Sequence, residues 1–150
     1  MARRKDGSFI EIMLPNGKYS YGRILKHSSF AFYDIYSDTQ IRDIDEFLKS
    51  EVLFTNAVYN YAITKNRWKL IAFRELEPYS LPMNFIQDAI DPHKFELYNP
   101  NTGTMMPAAK EQCLGLECAA VWEPEHIEER IIDHFEGRIN KWVRSLQIKD

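Results

Sequence analysis

The sequence has few of the features that mark specialised protein classes. Only two cysteines occur in 150 residues, Cys113 and Cys118, too few for a disulfide framework, and we expect free thiols in a reducing compartment. No apolar run approaches the roughly 18 residues that span a bilayer. The basic N-terminal residues 1–7 lead into no sustained apolar stretch, so we expect no secretory signal. These features predict a cytoplasmic protein.

Basic charge is also scarce, which bears on the kind of partner. Lys and Arg total 19 against 22 Asp and Glu, for a net charge of −3. Because phosphate neutralisation supplies much of the affinity of nucleic-acid binders, nucleic acid is not expected as the main partner. The six glycines are scattered and form no phosphate-cradling loop. The cysteine spacing does not match a zinc site, so we expect neither a metal nor a cofactor.

The composition that is present suits one globular domain over residues 1–150. Hydrophobic residues make up 45% of the chain and aromatic residues 13%, enough for a core without disulfides. The chain shows no internal repeat and no Pro- or Gly-rich linker. We therefore predict a single domain.

The first half of the chain has the pattern of strands and turns. Residues 8–14 form a short apolar run, and residues 18–25 alternate in the period of two typical of strands. The intervening Pro15-Asn16-Gly17 favours a turn. Residues 30–36 follow as a third strand, which predicts an antiparallel meander. In mid-strand, Gly22 indicates a bulge or a close approach of two backbones.

Helical and strand patterns alternate in the remainder. Ile41, Ile44 and Leu48 recur at helical spacing and predict a short helix. Residues 52–63 and 68–73 then have strand composition and would form a hairpin beside the first three strands. These elements predict an α+β fold, either a bent antiparallel sheet or a small SH3-like barrel, with a short helix after strand three and a C-terminal helix.

The C-terminal helix has clear start and stop signals. Pro124 suits its first turn and Gly137 suits its C-terminal cap. Residues 78–118 contain only short apolar pieces, near residues 85–86, 95–98 and 105–106, which we interpret as short edge strands.

Several stretches resemble the immunity protein 26 family in their order and spacing. They are Asn16-Gly17-Lys18-Tyr19-Ser20-Tyr21-Gly22-Arg23-Ile24-Leu25, Ala31-Phe32-Tyr33-Asp34-Ile35, Val52-Leu53-Phe54 and Arg67-Trp68-Lys69-Leu70-Ile71. We expect the resemblance to extend through Ala119-Ala120-Val121-Trp122-Glu123-Pro124-Glu125-His126. It implies a bacterial protein encoded beside a polymorphic or contact-dependent toxin, which protects the producing cell by binding that toxin. Many such toxins are nucleases, so the resemblance implies a nuclease partner blocked at its active groove rather than a catalysed reaction.

Tyr19, Tyr21 and Arg23 share one face of the second strand and have two interpretations. Tyr and Arg are enriched where proteins bind one another, so the three side chains can form a contact patch. Alternatively, the tyrosines pack against a helix while Arg23 pairs with Asp34 across the hairpin. Asp34 itself can hold a basic toxin residue or cap the next turn.

The C-terminal helix is strongly acidic. Residues 123–136 hold six acidic residues and one arginine, whereas residues 1–36 have a net charge of +3. Such a run usually forms a solvated face. It would also steer the protein towards a basic nuclease groove, which makes Glu125, Glu128 and Glu129 candidate contact residues.

Two other functions compete with toxin binding. A barrel could bind single-stranded nucleic acid by stacking bases on Tyr19, Tyr21, Phe32 and Trp68. For Trp68, however, the role of core anchor is favoured, because tryptophan buries a large area and needs only one partner for its N–H. A hydrolase could use Asp133 and His134, although no nucleophile is placed beside them by the sequence. We therefore expect no catalytic residues.

Overall fold

The computed structural model of the chain describes residues 2–150. Its strands are β1 (Ser8–Met13), β2 (Tyr19–Ile24), β3 (Ser29–Tyr33), β4 (Val52–Val58), β5 (Lys69–Phe73), β6 (Asn84–Gln87), β7 (Phe95–Asn99), β8 (Thr104–Ala108), β9 (Glu117–Cys118) and β10 (Val121–Trp122). Its helices are α1 (Ile44–Lys49), α2 (Tyr61–Thr64), α3 (Lys110–Cys113), α4 (Pro124–Glu136) and α5 (Lys141–Ser145).

The described residues divide into two compact units. The first unit runs to Glu77 and includes Val121–Asn140, and the second comprises Pro78–Ala120 and Lys141–Asp150. The prediction of one functional domain over residues 1–150 stays a prediction.

The first unit contains a six-stranded sheet with the order β10-β4-β3-β2-β1-β5. The β1–β2–β3 meander predicted from the sequence is present, with Ile10 opposite Gly22 and Gly22 opposite Phe32. The predicted α+β class is confirmed. Of the two predicted forms, the SH3-like barrel is not found, because across residues 2–150 neither sheet closes into a barrel. The predicted antiparallel sheet is found for β1–β5, but β10 pairs with β4 in parallel, so the sheet is mixed.

The predicted hairpin of residues 52–63 with residues 68–73 is wrong. β4 pairs with β3 and β5 pairs with β1, so these two strands lie on opposite sides of the meander. Residues 61–64 form the one-turn helix α2 instead of continuing the strand. This helix buries Ala62 and Ile63, and the chain then returns to the far edge of the sheet.

The two faces of the six-stranded sheet bury different aromatic clusters. On one face, Phe47 of α1 packs on Phe9 and Tyr21, with ring centroids 5.6 and 4.7 Å apart. On the other face, Trp68 meets Phe30 and Phe32 edge-on, at 5.5 and 5.6 Å. Edge-to-face and offset rings are favourable arrangements, and they explain the high aromatic content.

Gly22 marks a close approach of two backbones, one of its two predicted roles. A Cβ atom at this position would lie 2.6 Å from the carbonyl oxygen of Ala31. Any larger residue would therefore separate β2 from β3, which explains glycine in mid-strand.

The start and the end of α4 follow the predicted signals. Pro124 occupies the first turn, where its missing N–H costs nothing. Gly137 ends the helix with φ 72°, a left-handed conformation that favours glycine. Within residues 2–150, no helix has both the length and the apolar composition needed to cross a bilayer.

The second unit contains a four-stranded sheet with the order β8-β7-β6-β9. The short apolar pieces predicted for residues 78–118 form β6, β7 and β8. The prediction that they are edge strands is wrong for β6 and β7, because each of these pairs with a strand on both sides, whereas β8 is an edge strand. They bury Phe85, Phe95 and Cys113 in a small core. Burial raises the pKa of the Cys113 thiol, which makes it a poor nucleophile.

Candidate partner-binding surface

A buried carboxylate connects α4 to the turn before β5. Glu128 is only 2% exposed. It accepts two hydrogen bonds from the Arg67 guanidinium, at 2.8 and 2.9 Å, and one from the indole N–H of Trp68 at 2.9 Å. Three donors on one carboxylate offset the cost of burying its charge. Glu128 therefore fixes one end of α4 and the plane of the guanidinium.

A second group of polar side chains lies at the first turn of α4. The Tyr61 hydroxyl lies within hydrogen-bonding distance of Glu123 and, at 2.7 Å, of Glu125. A hydroxyl carries one proton, so these two carboxylates share a single donor. Glu125 also lies 3.5 Å from Arg67. With Arg67 and Glu128, this acidic cluster (Tyr61, Arg67, Glu123, Glu125 and Glu128) has a formal charge of −2.

These contacts shift the pKa values of Glu125 and Tyr61 in the acidic cluster. Burial opposes the charge of Glu125, but the Tyr61 hydrogen bond and the nearby Arg67 outweigh it and lower the pKa of the carboxyl. Burial and the two carboxylates together raise the pKa of the Tyr61 hydroxyl. Glu125 therefore keeps its negative charge at neutral pH.

Tyr21 lies on the opposite face of the sheet, fully buried. Its hydroxyl donates to Glu11 at 3.0 Å and accepts from the Ile41 amide at 2.7 Å. Burial raises the pKa of Tyr21 to about 12. Tyr21 thus holds the segment before α1 against the sheet. This agrees with the alternative interpretation, in which the tyrosines of β2 pack against a helix.

Arg23 is 8% exposed and does not pair with Asp34 as that alternative proposed. Its guanidinium donates to the carbonyl oxygens of Arg74, at 2.6 Å, and of Gly7, at 3.3 Å. It also lies 4.6 Å from the centre of the Phe9 ring. The register explains the difference, since Arg23 faces Ala31 and Asp34 lies beyond the end of β3.

The other predicted contact residues are more accessible. Asp34 and Glu129 are exposed, and Tyr19 is half-buried against the α1 side of the sheet. Glu125 is also partly exposed, with 44% of its side chain accessible. The structure thus brings Glu125 and Glu128 together through Arg67 and places Tyr21 in a separate cluster.

The structure bears on the residues of both competing functions. Tyr21, Phe32 and Trp68 are all 0% exposed, so bases cannot stack on them and the proposed nucleic-acid platform is wrong. Asp133 accepts from Arg138 at 3.1 Å and from Asn140 at 2.9 Å, contacts that secure the end of α4. These bonds give Asp133 a structural role.

Sequence reasoning missed Arg67 and Tyr61 as members of the acidic cluster. Arg67 lies 61 positions from Glu128, and Tyr61 lies 62 from Glu123. A pairing at that separation leaves no periodic signal. The nearest available clue was the Arg67-Trp68 pair before a strand, beside an otherwise uncompensated acidic helix.

A comparison with protein-family models decides the family. The model described as immunity protein 26 matches residues 5–96, more than half of the chain. The chain belongs to the immunity protein 26 family. The matched residues include β1–β6 and end within β7. The match therefore does not reach residues 119–126, where a resemblance was also predicted. Helix α4 also lies beyond the matched residues. Comparisons with curated proteins and with solved structures found no match.

Proposed function

We propose that this chain neutralises a cognate bacterial toxin by binding it, in the cytoplasm of the cell that makes both. The family match over residues 5–96 carries this proposal. The partner is thus a toxin domain, with neither nucleic acid nor a membrane as the main partner. Asp133, the acidic residue of the competing hydrolase hypothesis, and Glu128 both accept hydrogen bonds from other side chains of the chain. These bonds accord with neutralisation by contact.

We infer further that the toxin is a nuclease whose active groove is covered. A nuclease groove is basic because it holds phosphates. Residues 123–136 have six acidic side chains and one basic side chain, which suits an approach to such a groove. The lowered pKa of Glu125 keeps its part of this surface charged.

The proposed contact surface is narrower than the set predicted from the sequence. Glu125 and Glu129 supply accessible charge on α4. Asp34, just after β3, and Tyr19, on the α1 side of the sheet, remain candidates. Tyr21, Arg23 and Glu128 are buried, and we assign them to support of the surface. A buried residue contributes to a contact by fixing its neighbours.

The test uses the toxin domain encoded immediately beside this gene, with its active site inactivated. The full-length chain and this domain should co-elute from a size-exclusion column and bind with a measurable Kd in calorimetry. A toxin domain from an unrelated locus is the control and should not bind. Absence of binding to the neighbouring toxin would overturn the proposal.

A further inference from the structure

An open cleft of about 510 Å³ lies beside the β1–β2 turn, and nothing above assigns it a role. It is lined by Met13, Leu14, Pro15, Gly17, Arg67 and Glu128. Met13 is 66% exposed, although it is a large apolar side chain. The cleft therefore combines an accessible apolar wall with a salt-bridged guanidinium.

The β1–β2 turn that forms one wall is held in place. Leu14 accepts from Gly17 at 2.9 Å and donates to Lys18 at 2.8 Å, and Gly17 has φ 86°. Asn16 donates to the Tyr36 hydroxyl at 2.7 Å, which in turn donates to Glu136 of α4 at 3.0 Å. A wall fixed at both ends loses little conformational freedom when a ligand binds.

The opposite wall is fixed by the Arg67–Glu128 pair. Two parallel hydrogen bonds hold the guanidinium in one plane. Arg67 keeps 39% of its side chain accessible, whereas Glu128 keeps 3%. A ligand in the cleft therefore contacts the Arg67 side chain far more than the Glu128 side chain.

The charges around the cleft disfavour an ionic occupant of either sign. A cation entering it would meet the positive charge of Arg67, and an anion would find that charge already paired with Glu128 and 3.5 Å from Glu125. A neutral ring avoids both penalties and gains from each wall. Its face is attracted to the guanidinium, and it packs well on a thioether such as Met13.

We propose that this cleft receives a neutral aromatic side chain of the cognate toxin. The inference rests on the function proposed above and adds the chemistry of one contact to it. Aromatic residues that fill a partner's pocket commonly dominate binding energy. Acidic residues around such an anchor would steer the approach without supplying the central contact.

The first test needs no toxin. The full-length protein, labelled with 15N and at its methionine methyl groups, is titrated with N-acetyltryptophanamide and followed by NMR. The Met13 methyl, assigned with Met13→Leu, and the Gly17 amide should shift and saturate at concentrations on the order of millimolar. The control compounds, N-acetyllysinamide and N-acetylaspartic acid amide, should shift neither the Met13 methyl signal nor the Gly17 amide signal. No saturable shift, or an equal shift with a charged amide, would overturn the assignment.

The second test separates this inference from the proposed function. Met13→Asp should weaken binding to the inactivated neighbouring toxin at least tenfold, whereas Met105→Asp should leave the Kd unchanged. Met105 is a suitable control because it is similarly exposed, at 59%, in the second unit. If the wild-type chain binds and both variants bind equally, the inference fails and the proposed function stands. If the wild-type chain does not bind, the proposed function itself fails.

Discussion

Trp68 and Glu128 are 60 positions apart in the chain and share a hydrogen bond of 2.9 Å between the indole N–H and the carboxylate. Both residues are buried, at 0% and 2% exposure. The bond joins Trp68, the residue before β5, to helix α4. Trp68 lies within the residues that match the family model, and α4 lies beyond them. The position of the acidic helix therefore depends on a contact made in the core.

This contact predicts a large loss of stability for Glu128→Ala. The substitution leaves the Trp68 N–H and the Arg67 guanidinium without their acceptor, which should cost about 3 kcal/mol of unfolding free energy. Urea denaturation at neutral pH measures it. Glu129→Ala, one position along on the exposed side of α4, should cost less than about 1 kcal/mol, because contacts of exposed charged side chains contribute little. Equal effects of the two variants would contradict this account of α4.

Tyr21 predicts a loss of stability in alkali. Its pKa is raised from 10.0 to about 12, so folding favours the protonated hydroxyl. That contribution is fully present below about pH 10 and is lost as the pH rises towards 12. Wild type should be more stable than Tyr21→Phe at about pH 8, and the difference should shrink above about pH 10. A difference that stays constant with pH would show that the hydroxyl is not linked to folding.

Gly22 predicts that even a methyl group is not tolerated in mid-strand. Since the new Cβ would lie 2.6 Å from the Ala31 carbonyl oxygen, Gly22→Ala should destabilise the protein by about 1–3 kcal/mol. Gly17→Asn provides the comparison, because that site has open space and asparagine tolerates its positive φ. Thermal unfolding should show a clearly lower Tm for Gly22→Ala alone. An unchanged Tm would mean that β2 and β3 are less closely packed than described.

Charge on α4 predicts the rate of toxin binding. The double variant Glu125→Gln/Glu129→Lys should associate roughly tenfold more slowly at low salt, with a weaker dependence on ionic strength. Glu46→Lys/Glu51→Gln changes the net charge equally on exposed positions near α1 and should associate at the wild-type rate. Binding kinetics on surface-immobilised toxin measure the association rates of both double variants. Equal slowing by the two variants would indicate an effect of net charge rather than of α4.

The local elements of the fold could be predicted from the sequence. The alternation around Tyr19, Tyr21 and Arg23 and the turn at residues 15–17 determine β1–β2–β3 through neighbouring residues. Pro124 and Gly137 likewise set the ends of α4. Each of these signals acts over a few residues, which is the range that sequence patterns report directly.

The non-local pairings could not be predicted in the same way. Residues 52–63 and 69–73 are neighbours in sequence, and consecutive strands often pair. Here the turn of α2 and the burial of Trp68 carry β5 to the edge beside β1. The acidic cluster has the same origin, since Arg67 and Tyr61 reach α4 only after the sheet has formed. Tyr21, Arg23 and Glu128 were candidate contacts because sequence shows their chemistry and not their burial.

The central claim is that the chain neutralises its toxin by contact, and a titration of toxin activity tests it most directly. A fixed amount of active toxin is mixed with increasing amounts of the full-length chain, and the residual toxin activity is measured after several incubation times. We predict a linear fall to zero at a fixed molar ratio, unchanged by longer incubation. Complete inactivation by a small fraction of an equivalent, progressing with time, would show turnover and would contradict the account.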